Sequence, residues 1–217
     1  MQPSEAEARP GPDVIALREG QIDAAGAVLA RAFGGDPLMR YLFPDDAERA
    51  RLLPWHFTGL VRYGYLYGAV STTVTTTGAT DGVAVWLPPQ GFQDPLERLS
   101  RLEQAGLHQA PSVLGAAAFE RLVGVVNHLE RVRRRDAPAP HWYLNQVGVE
   151  PARRGQGIGV ALLRPGLEQA TVAGLPCYLE TFLAANLSFY GRLKFHIVTA
   201  EVEPSSGLPF WTCLRQP

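Results

Sequence analysis

The sequence is poor in lysine, in cysteine and in long apolar runs. Lys194 is the one lysine, and the formal net charge is −1. Without a general excess of basic residues, nucleic acid is not expected as the main partner. Two cysteines, Cys177 and Cys213, are too few for the disulfide framework of a small secreted protein. No apolar run approaches the roughly 20 residues that a membrane-spanning helix needs, so no membrane partner is expected.

The remaining composition is that of a folded protein. Hydrophobic residues make up 46% of the chain and charged residues 19%, which excludes a disordered or coiled-coil protein. Residues 1–12 contain three prolines and no apolar signal core, so we expect a flexible tail and a cytoplasmic location. Residues 13–217 are expected to form a single domain. The five histidines show no metal-ligand spacing with cysteine or carboxylates, so no metal is expected.

Apolar periodicity and turn residues divide the chain into alternating elements. Predicted strands cover 13–18, 70–77, 83–87, 141–149, 177–181, 195–202 and 209–214. Predicted helices cover 22–33, 38–43, a stretch from Asp45 into the sixties, 95–135, 155–173 and 186–193. Asp81-Gly82 predicts the hairpin turn before 83–87. This order indicates an α+β (mixed α/β) fold with a largely antiparallel start and one parallel crossover.

The most informative segment runs from Val147 to Val160, where a strand ends, three glycines alternate and a helix begins. Glycine lets the backbone approach a ligand closely and adopt positive φ. Free amides at a helix N-terminus attract phosphate oxygens, so this turn predicts a pyrophosphate site. Arg153 or Arg154 can add charge-assisted hydrogen bonds.

Two familiar phosphate-binding motifs do not fit this segment. A Walker P-loop needs Gly-Lys-Ser/Thr at its end, and none is present. A dinucleotide fingerprint needs a third glycine where Val160 stands, and it belongs at the first strand of its sheet. A glycine-rich start of a helix that binds no ligand remains the alternative.

Arg154-x-x-Gly157-x-Gly159 resembles the pyrophosphate-binding signature of the GNAT superfamily of acyl-CoA-dependent N-acyltransferases. The segments around it agree, from Val147-Gly148-Val149 before the loop to Phe189-Tyr190-x-Arg192-Leu193 after it. Residues 141–217 look most like the puromycin N-acetyltransferase-like group of that superfamily. The resemblance implies a central mixed sheet of about six to seven strands, splayed between strands 4 and 5, with helices on both faces.

The same resemblance implies acetyl transfer from acetyl-CoA to the amine of a small molecule, an antibiotic or another aminated metabolite being candidates. Backbone groups of Val147 and Val149 would hold the pantetheine arm by edge pairing, and the backbone amides from Arg154 through Val160 would hold the diphosphate. The amide of Val147 would donate to the thioester oxygen. The residues implied for the cofactor are Val147, Gly148, Val149, Arg153, Arg154, Gly155, Gln156, Gly157, Ile158, Gly159, Val160, Asn186 and Tyr190.

Three side chains are candidates for the chemistry, each with a structural alternative. The resemblance implies that Tyr190 protonates the departing thiolate, whereas a packed aromatic is the alternative. Glu180 is a candidate base for the amine, directly or through water, or else a structural carboxylate. Asp36 is a candidate for attracting a cationic amine, or else a turn residue. Asn186 contacts the cofactor arm, caps a helix, or does both.

One departure from the family pattern concerns the turn after Tyr190. Lys194 stands where the superfamily usually has glycine, so the left-handed turn and the placement of Tyr190 are in doubt. An acyl-CoA-binding module with lost or regulatory activity therefore stays open as an alternative. A protein or peptide N-acetyltransferase is another alternative, although the sequence shows no acidic run of the kind expected for binding a basic protein. A monomer and a homodimer are both compatible with the sequence.

Overall fold

One mixed sheet organises the chain. The computed structural model describes residues 13–74, 79–89, 95–138 and 140–217. The predicted tail 1–12 and the last residues of the predicted strand 70–77 lie outside the described residues. The described strands are β1 (Val14–Ala16), β2 (Ala69–Val74), β3 (Thr80–Leu87), β4 (Trp142–Val149), β5 (Cys177–Thr181), β6 (His196–Val202) and β7 (Pro209–Arg215). The described α-helices are α1 (Ile22–Phe33), α2 (Pro37–Leu42), α3 (Asp46–Tyr67), α4 (Pro95–Gln104), α5 (Ala110–Leu114), α6 (Ala116–Asp136), α7 (Ile158–Val172) and α8 (Leu187–Arg192).

The strand order is β1-β2-β3-β4-β5-β7-β6, which confirms the predicted mixed α/β sheet. β4 and β5 form the parallel pair, whereas the other described neighbours are antiparallel. β4 and β5 pair at Trp142–Cys177 and Tyr143–Tyr178 and then separate. The predicted splay between strands 4 and 5 is therefore confirmed.

Helices cover both faces of the sheet because its strands are apolar on both sides. On one face, here called the α1 face, Val83 and Val85 pack against α1 and α3. On the other, here called the α7 face, Ala84 and Trp86 pack against α7. Helix α6 lies on the α1 face at the β5–β7 end, where Val132 packs in one cluster with Phe182 and Phe210. The opening between β4 and β5 thus lies between two helical layers.

The predicted hairpin turn at Asp81-Gly82 is wrong, because both residues belong to β3. β2 ends at Val74 and β3 begins at Thr80, so the connection comes earlier. Gly82 serves close packing instead: a Cβ atom there would lie 2.7 Å from Leu162 and 3.0 Å from Ile158 of α7. The glycine that resembles a turn signal lets α7 sit close to the sheet.

Candidate active site

A β-bulge at Asn145 controls which backbone groups of β4 face the gap. In the pairing with β3, Val85 lies opposite Gln146 and Trp86 lies opposite Leu144, so Asn145 is the extra residue. The side chains of Leu144, Val147 and Val149 all pack in the cluster on the α7 face, although strict alternation would separate Leu144 from the other two. The bulge therefore reverses the alternation along β4.

Hydrogen bonds show the same reversal in the backbone. Before the bulge, the Trp142 amide donates to the Pro176 carbonyl at 2.9 Å, on the β5 side. After it, the Glu150 amide donates to the Asp81 carbonyl at 2.8 Å, on the β3 side. Because amides alternate along a strand, those of Val147 and Val149 point away from β3 and into the gap. The gap thus has backbone donors that none of the described strands uses.

The glycine turn that follows β4 presents a second set of amides. Gly155 and Gly157 have φ values of 78° and 77°, and nothing lies within 4 Å of a Cβ atom built on either. The first backbone bond of α7 runs from the Ala161 amide to the Gly157 carbonyl at 3.1 Å. Among the described residues, none accepts a hydrogen bond from the amides of residues 155–160. These amides at the start of a helix of 15 residues are arranged as the donors of a candidate anion cradle.

The predicted helix 155–173 begins later than expected, at Ile158, because the two left-handed glycines precede it. Inside the helix, Gly159 lies against the Phe189 ring of α8, 3.3 Å from where its Cβ would be. Val160 is exposed, and the exposed Gln156 lies in the loop between the two left-handed glycines. The whole loop is therefore open to a ligand from solvent.

The two arginines of the loop contact protein groups. Arg153 pairs with the Asp81 carboxylate at 3.3 Å. Arg154 donates to the Ala32 carbonyl at the end of α1, at 2.8 Å. Nearby, Arg31 of α1 pairs with Glu150 at 2.9 Å. The predicted diphosphate arginines therefore also tie the loop to β3 and α1.

Gly148 faces α1 and not the gap. A Cβ atom at this position would lie 2.7 Å from Leu29 and 2.9 Å from Ala32. Its amide belongs to the set that faces β3, by the alternation fixed at Glu150. Gly148 thus lets α1 approach β4, and it supports the strand that presents Val147 and Val149.

Glu180 projects from β5 onto the α1 face beside the gap. It shares a face with Tyr178, two residues earlier, whereas Cys177 and Leu179 pack on the α7 face. Burial raises the pKa of Glu180 to about 7, against hydrogen bonding by Tyr143 and the nearby charge of Arg133, which lower it. The side chain keeps intermediate exposure, so a small molecule can reach it. A carboxyl group with this pKa is suited to accept a proton near neutral pH.

Tyr190 of α8 approaches from the opposite, α7 face. Its ring packs between Phe189 and Phe195, with centroids 5.2 Å and 6.0 Å away. Burial raises the pKa of Tyr190 above its usual value, and the nearby Cys213 and Asp36 raise it further. The phenol therefore stays protonated at neutral pH and is suited to donate a proton.

Asp36 is brought to the same region from α1's side. Its Oδ1 accepts from the Leu38 amide at 2.9 Å, so it caps α2. Burial raises the pKa of Asp36, against two backbone hydrogen bonds that lower it. The Asp36 carboxylate is also close enough to raise the pKa of Tyr190 through its charge. The capping role and a position beside the site coexist.

Asn186 and Lys194 flank α8. Asn186 occupies the N-cap position, but its side-chain amide donates to the Thr181 hydroxyl of β5 at 3.2 Å instead of capping the helix. Lys194 has φ 69°, the left-handed conformation that glycine normally supplies. The expected doubt about this turn is resolved: lysine adopts the turn, and Tyr190 stays anchored.

Within the described residues, no group of three or more His, Cys, Asp or Glu side chains is arranged to hold a metal ion. No helix among them is long and apolar enough to cross a membrane. Cys177 and Cys213 are both buried and free, and burial raises the pKa of each thiol to about 11. Neither thiol is suited to act as a nucleophile.

Sequence reasoning missed the bulge, the packing roles of Gly82 and Gly148, and the contacts of Tyr143 with Glu180. The bulge has a faint sequence signal, since Leu144 and Val147 are apolar at a spacing of three inside a strand. The contact between Tyr143 and Glu180 has no sequence signal, because the two residues lie on different strands that a crossover connection separates along the chain.

Comparisons with known proteins agree with this geometry. Residues 82–195 match the acetyltransferase (GNAT) family. An uncharacterized N-acetyltransferase of Schizosaccharomyces pombe, C550.08, is 25% identical over 177 residues, which are 79% of this chain and 69% of that protein.

Two solved structures illustrate the likeness in fold. A histone acetyltransferase HPA2 and related acetyltransferase from Corynebacterium glutamicum superposes with a TM-score of 0.66 and 26% identity, covering 96% of this chain and 97% of that one. Arylalkylamine N-acetyltransferase 2 from Aedes aegypti gives a TM-score of 0.65 at 13% identity, covering 94% and 98%. Since the family match spans more than half of its length, the chain belongs to the acetyltransferase (GNAT) family and is an acyltransferase enzyme.

Proposed function

We propose that this protein transfers the acetyl group of acetyl-CoA to the primary amine of a small molecule. One observation carries the proposal: the amides of Val147 and Val149, which face the gap, are followed after one short turn by the free amides of residues 155–160. An extended, amide-containing arm fits the strand edge, and a diphosphate fits the cradle at the helix N-terminus. The two sets of donors lie in the order in which pantetheine and diphosphate follow each other in CoA.

The reacting groups approach the gap from opposite faces. Glu180 on the α1 face is the proposed base, which takes a proton from the incoming ammonium directly or through water. Tyr190 on the α7 face is the proposed acid for the departing sulfur. Acetyl-CoA supplies the acetyl group as a thioester. The Val147 amide is the proposed donor to the carbonyl oxygen, where negative charge grows during attack.

A cationic amine suits the charges around the opening. Asp36 and Glu180 are carboxyl groups of intermediate exposure, and no described residue forms an ion pair with either. An arylalkylamine acetyltransferase, which shares the fold at 13% identity, is consistent with a small amine as the acceptor, but this likeness shows the fold alone. We include in the proposal a single catalytic domain over residues 13–217, membership of the puromycin N-acetyltransferase-like group on the features of residues 141–217, and a cytoplasmic location.

A thiol-release assay with acetyl-CoA against a library of amines, including aminonucleosides and amino acids, tests the reaction. We expect free CoA to appear with at least one small amine and the acetylated product to be detected by mass spectrometry. If none of the amines in the panel causes release of free thiol, the proposed reaction is contradicted.

Calorimetric titration with CoA tests the cradle separately. Gly157→Glu should abolish binding, because a side chain and a negative charge would occupy the phosphate site. Gly174→Glu is the matched control: Gly174 also has positive φ, 65°, with no neighbour within 4 Å of a Cβ atom, but it lies beyond the opposite end of α7. Equal affinity of the two folded variants would contradict the cradle.

A further inference from the structure

Tyr143 occupies the fork at which β4 and β5 separate. It pairs with Tyr178 in the last rung between the two strands, and the ring centroids are 6.0 Å apart. Glu180 follows Tyr178 by two residues and therefore projects from the same face of β5. Tyr143 and Glu180 therefore lie on the same face at the fork, where the Tyr143 hydroxyl is close enough to act on the Glu180 carboxyl group and lower its pKa.

Helix α6 packs against the Tyr143 ring through Arg133. The guanidinium carbon of Arg133 lies 5.0 Å from the ring centroid, an arrangement that favours cation–π attraction. The Arg133 side chain is 7% exposed and pairs with Glu130 one turn earlier on α6. Since its position is fixed by packing and by this ion pair, Arg133 limits how far the ring can turn.

The bulged residue of β4 adds a second neighbour to the Tyr143 side chain. Asn145, the bulged residue, has a side chain that is close enough to the Tyr143 hydroxyl to lower the pKa of that phenol. A phenol that accepts from an amide and donates to a carboxylate has its proton directed at the carboxylate. The bulge thus places an amide side chain beside the hydroxyl that acts on Glu180.

We propose that Tyr143 is a positioning residue for Glu180. The Tyr143 hydroxyl holds the Glu180 carboxylate toward the gap and stabilises its ionised form. Arg133 in turn holds the Tyr143 ring in place. The inference rests on the proposed role of Glu180 as the base of the reaction. A hydrogen bond donated to the ionised form favours that form, so Tyr143 offsets part of the desolvation that Glu180 undergoes on burial. It keeps the base usable near neutral pH.

Other charged groups reach Glu180 from each element packed around it. Tyr178 faces it on β5, and its buried hydroxyl makes no hydrogen bond of normal length to a described residue, although it is close enough to act on the carboxylate. Arg133 and Glu130 face it from α6, with opposite effects on its charge. His141 and Asp136 act on Tyr178, one step further away.

The test is a carboxyl titration of the whole protein labelled with 13C-glutamate, with Glu180→Gln identifying the Glu180 signal. We expect Tyr143→Phe to raise the Glu180 midpoint by about one pH unit, because a charge-assisted hydrogen bond is lost. Tyr178→Phe removes the same atom from the neighbouring ring and should raise the midpoint by less than half as much. An unchanged midpoint in Tyr143→Phe, or equal changes in both variants, overturns the proposal.

Arg133→Lys is a second variant that keeps the charge but loses the planar stack. We expect its midpoint to move toward that of Tyr143→Phe, whereas a midpoint equal to the wild type overturns the role of Arg133. The titration needs no substrate, so it decides the inference even if the protein transfers no acetyl group. If transfer occurs, the acid limb of the kcat/KM profile in Tyr143→Phe should move upward with the titrated midpoint. A limb that stays in place while the midpoint moves overturns the role of Tyr143 in catalysis.

Discussion

The turn after α8 stores backbone strain that a single substitution should release. Lys194 is exposed and has φ 69°, a conformation that costs an L-residue about 1–2 kcal/mol. Glycine removes this cost, but its larger conformational entropy stabilises the unfolded chain by about 0.5–1 kcal/mol. Lys194→Gly should therefore stabilise the protein by about 0.5–1 kcal/mol, which for a chain of this size raises Tm by about 1–4 °C.

Lys194→Ala separates strain from the loss of the lysine side chain. Alanine keeps the Cβ atom and thus the strain, so its Tm should stay close to that of the wild type. Differential scanning calorimetry and urea titration of the three proteins give the comparison. A Lys194→Gly protein no more stable than Lys194→Ala would refute the reasoning from the backbone conformation.

Activity should respond differently from stability. The turn is already closed by bonds from the Lys194 amide to Gly191 at 3.0 Å and from the Phe195 amide to Tyr190 at 3.1 Å. Because glycine would adopt the same turn, kcat should change by less than about twofold. A tenfold gain in kcat would mean that lysine displaces Tyr190, against the anchoring described above.

Three further substitutions test the site. Glu180 must be ionised to act as a base, so wild-type kcat/KM should fall about tenfold as the pH drops from about 8 to about 6, through the Glu180 pKa of about 7. Glu180→Gln should lose most of the activity together with this pH dependence. If the variant keeps the same fall in kcat/KM, the fall belongs to another group. Tyr190→Phe should lower kcat tenfold or more at neutral pH with little change in the KM for acetyl-CoA, and an unchanged kcat would remove Tyr190 as the acid. Arg154→Ala should weaken CoA binding by only about two- to tenfold in calorimetry, because the backbone amides remain, and complete loss of binding would mean that the arginine, not the amides, holds the diphosphate.

The strong periodic elements of the fold could be predicted from the sequence. α1 and β5 have the predicted bounds, since each is an apolar segment that ends at a break in its own pattern. Asp81-Gly82 was predicted wrongly because the reason for Gly82 lies 2.7 Å away, in the Leu162 side chain of α7. Local turn chemistry carries no information about a helix that begins 76 residues later.

The site could be predicted in its backbone and less so in its electrostatics. The glycine cradle was found because positive φ and free amides follow from local sequence. The surroundings of Glu180 do not follow from it, because the Tyr143 hydroxyl and the Arg133 charge that act on its pKa come from β4 and α6. Side chains from three separate elements meet there only after the sheet and its covering helix have assembled.

The extra residue at position 145 gives β4 two distinct halves. The N-terminal half shares a rung with β5 at Trp142 and Tyr143 and so closes the sheet, whereas the C-terminal half keeps its β3 pairing and leaves alternate donors unsatisfied. Because Leu144 and Gln146 already face the neighbouring residues Trp86 and Val85, deletion of Asn145 would leave regular pairing with β3 and would keep the amides of Val147 and Val149 on the gap side. The deletion would instead remove the bend and the added twist that a bulge gives its strand, so we expect it to reduce the divergence of β4 from β5 that begins after Tyr143.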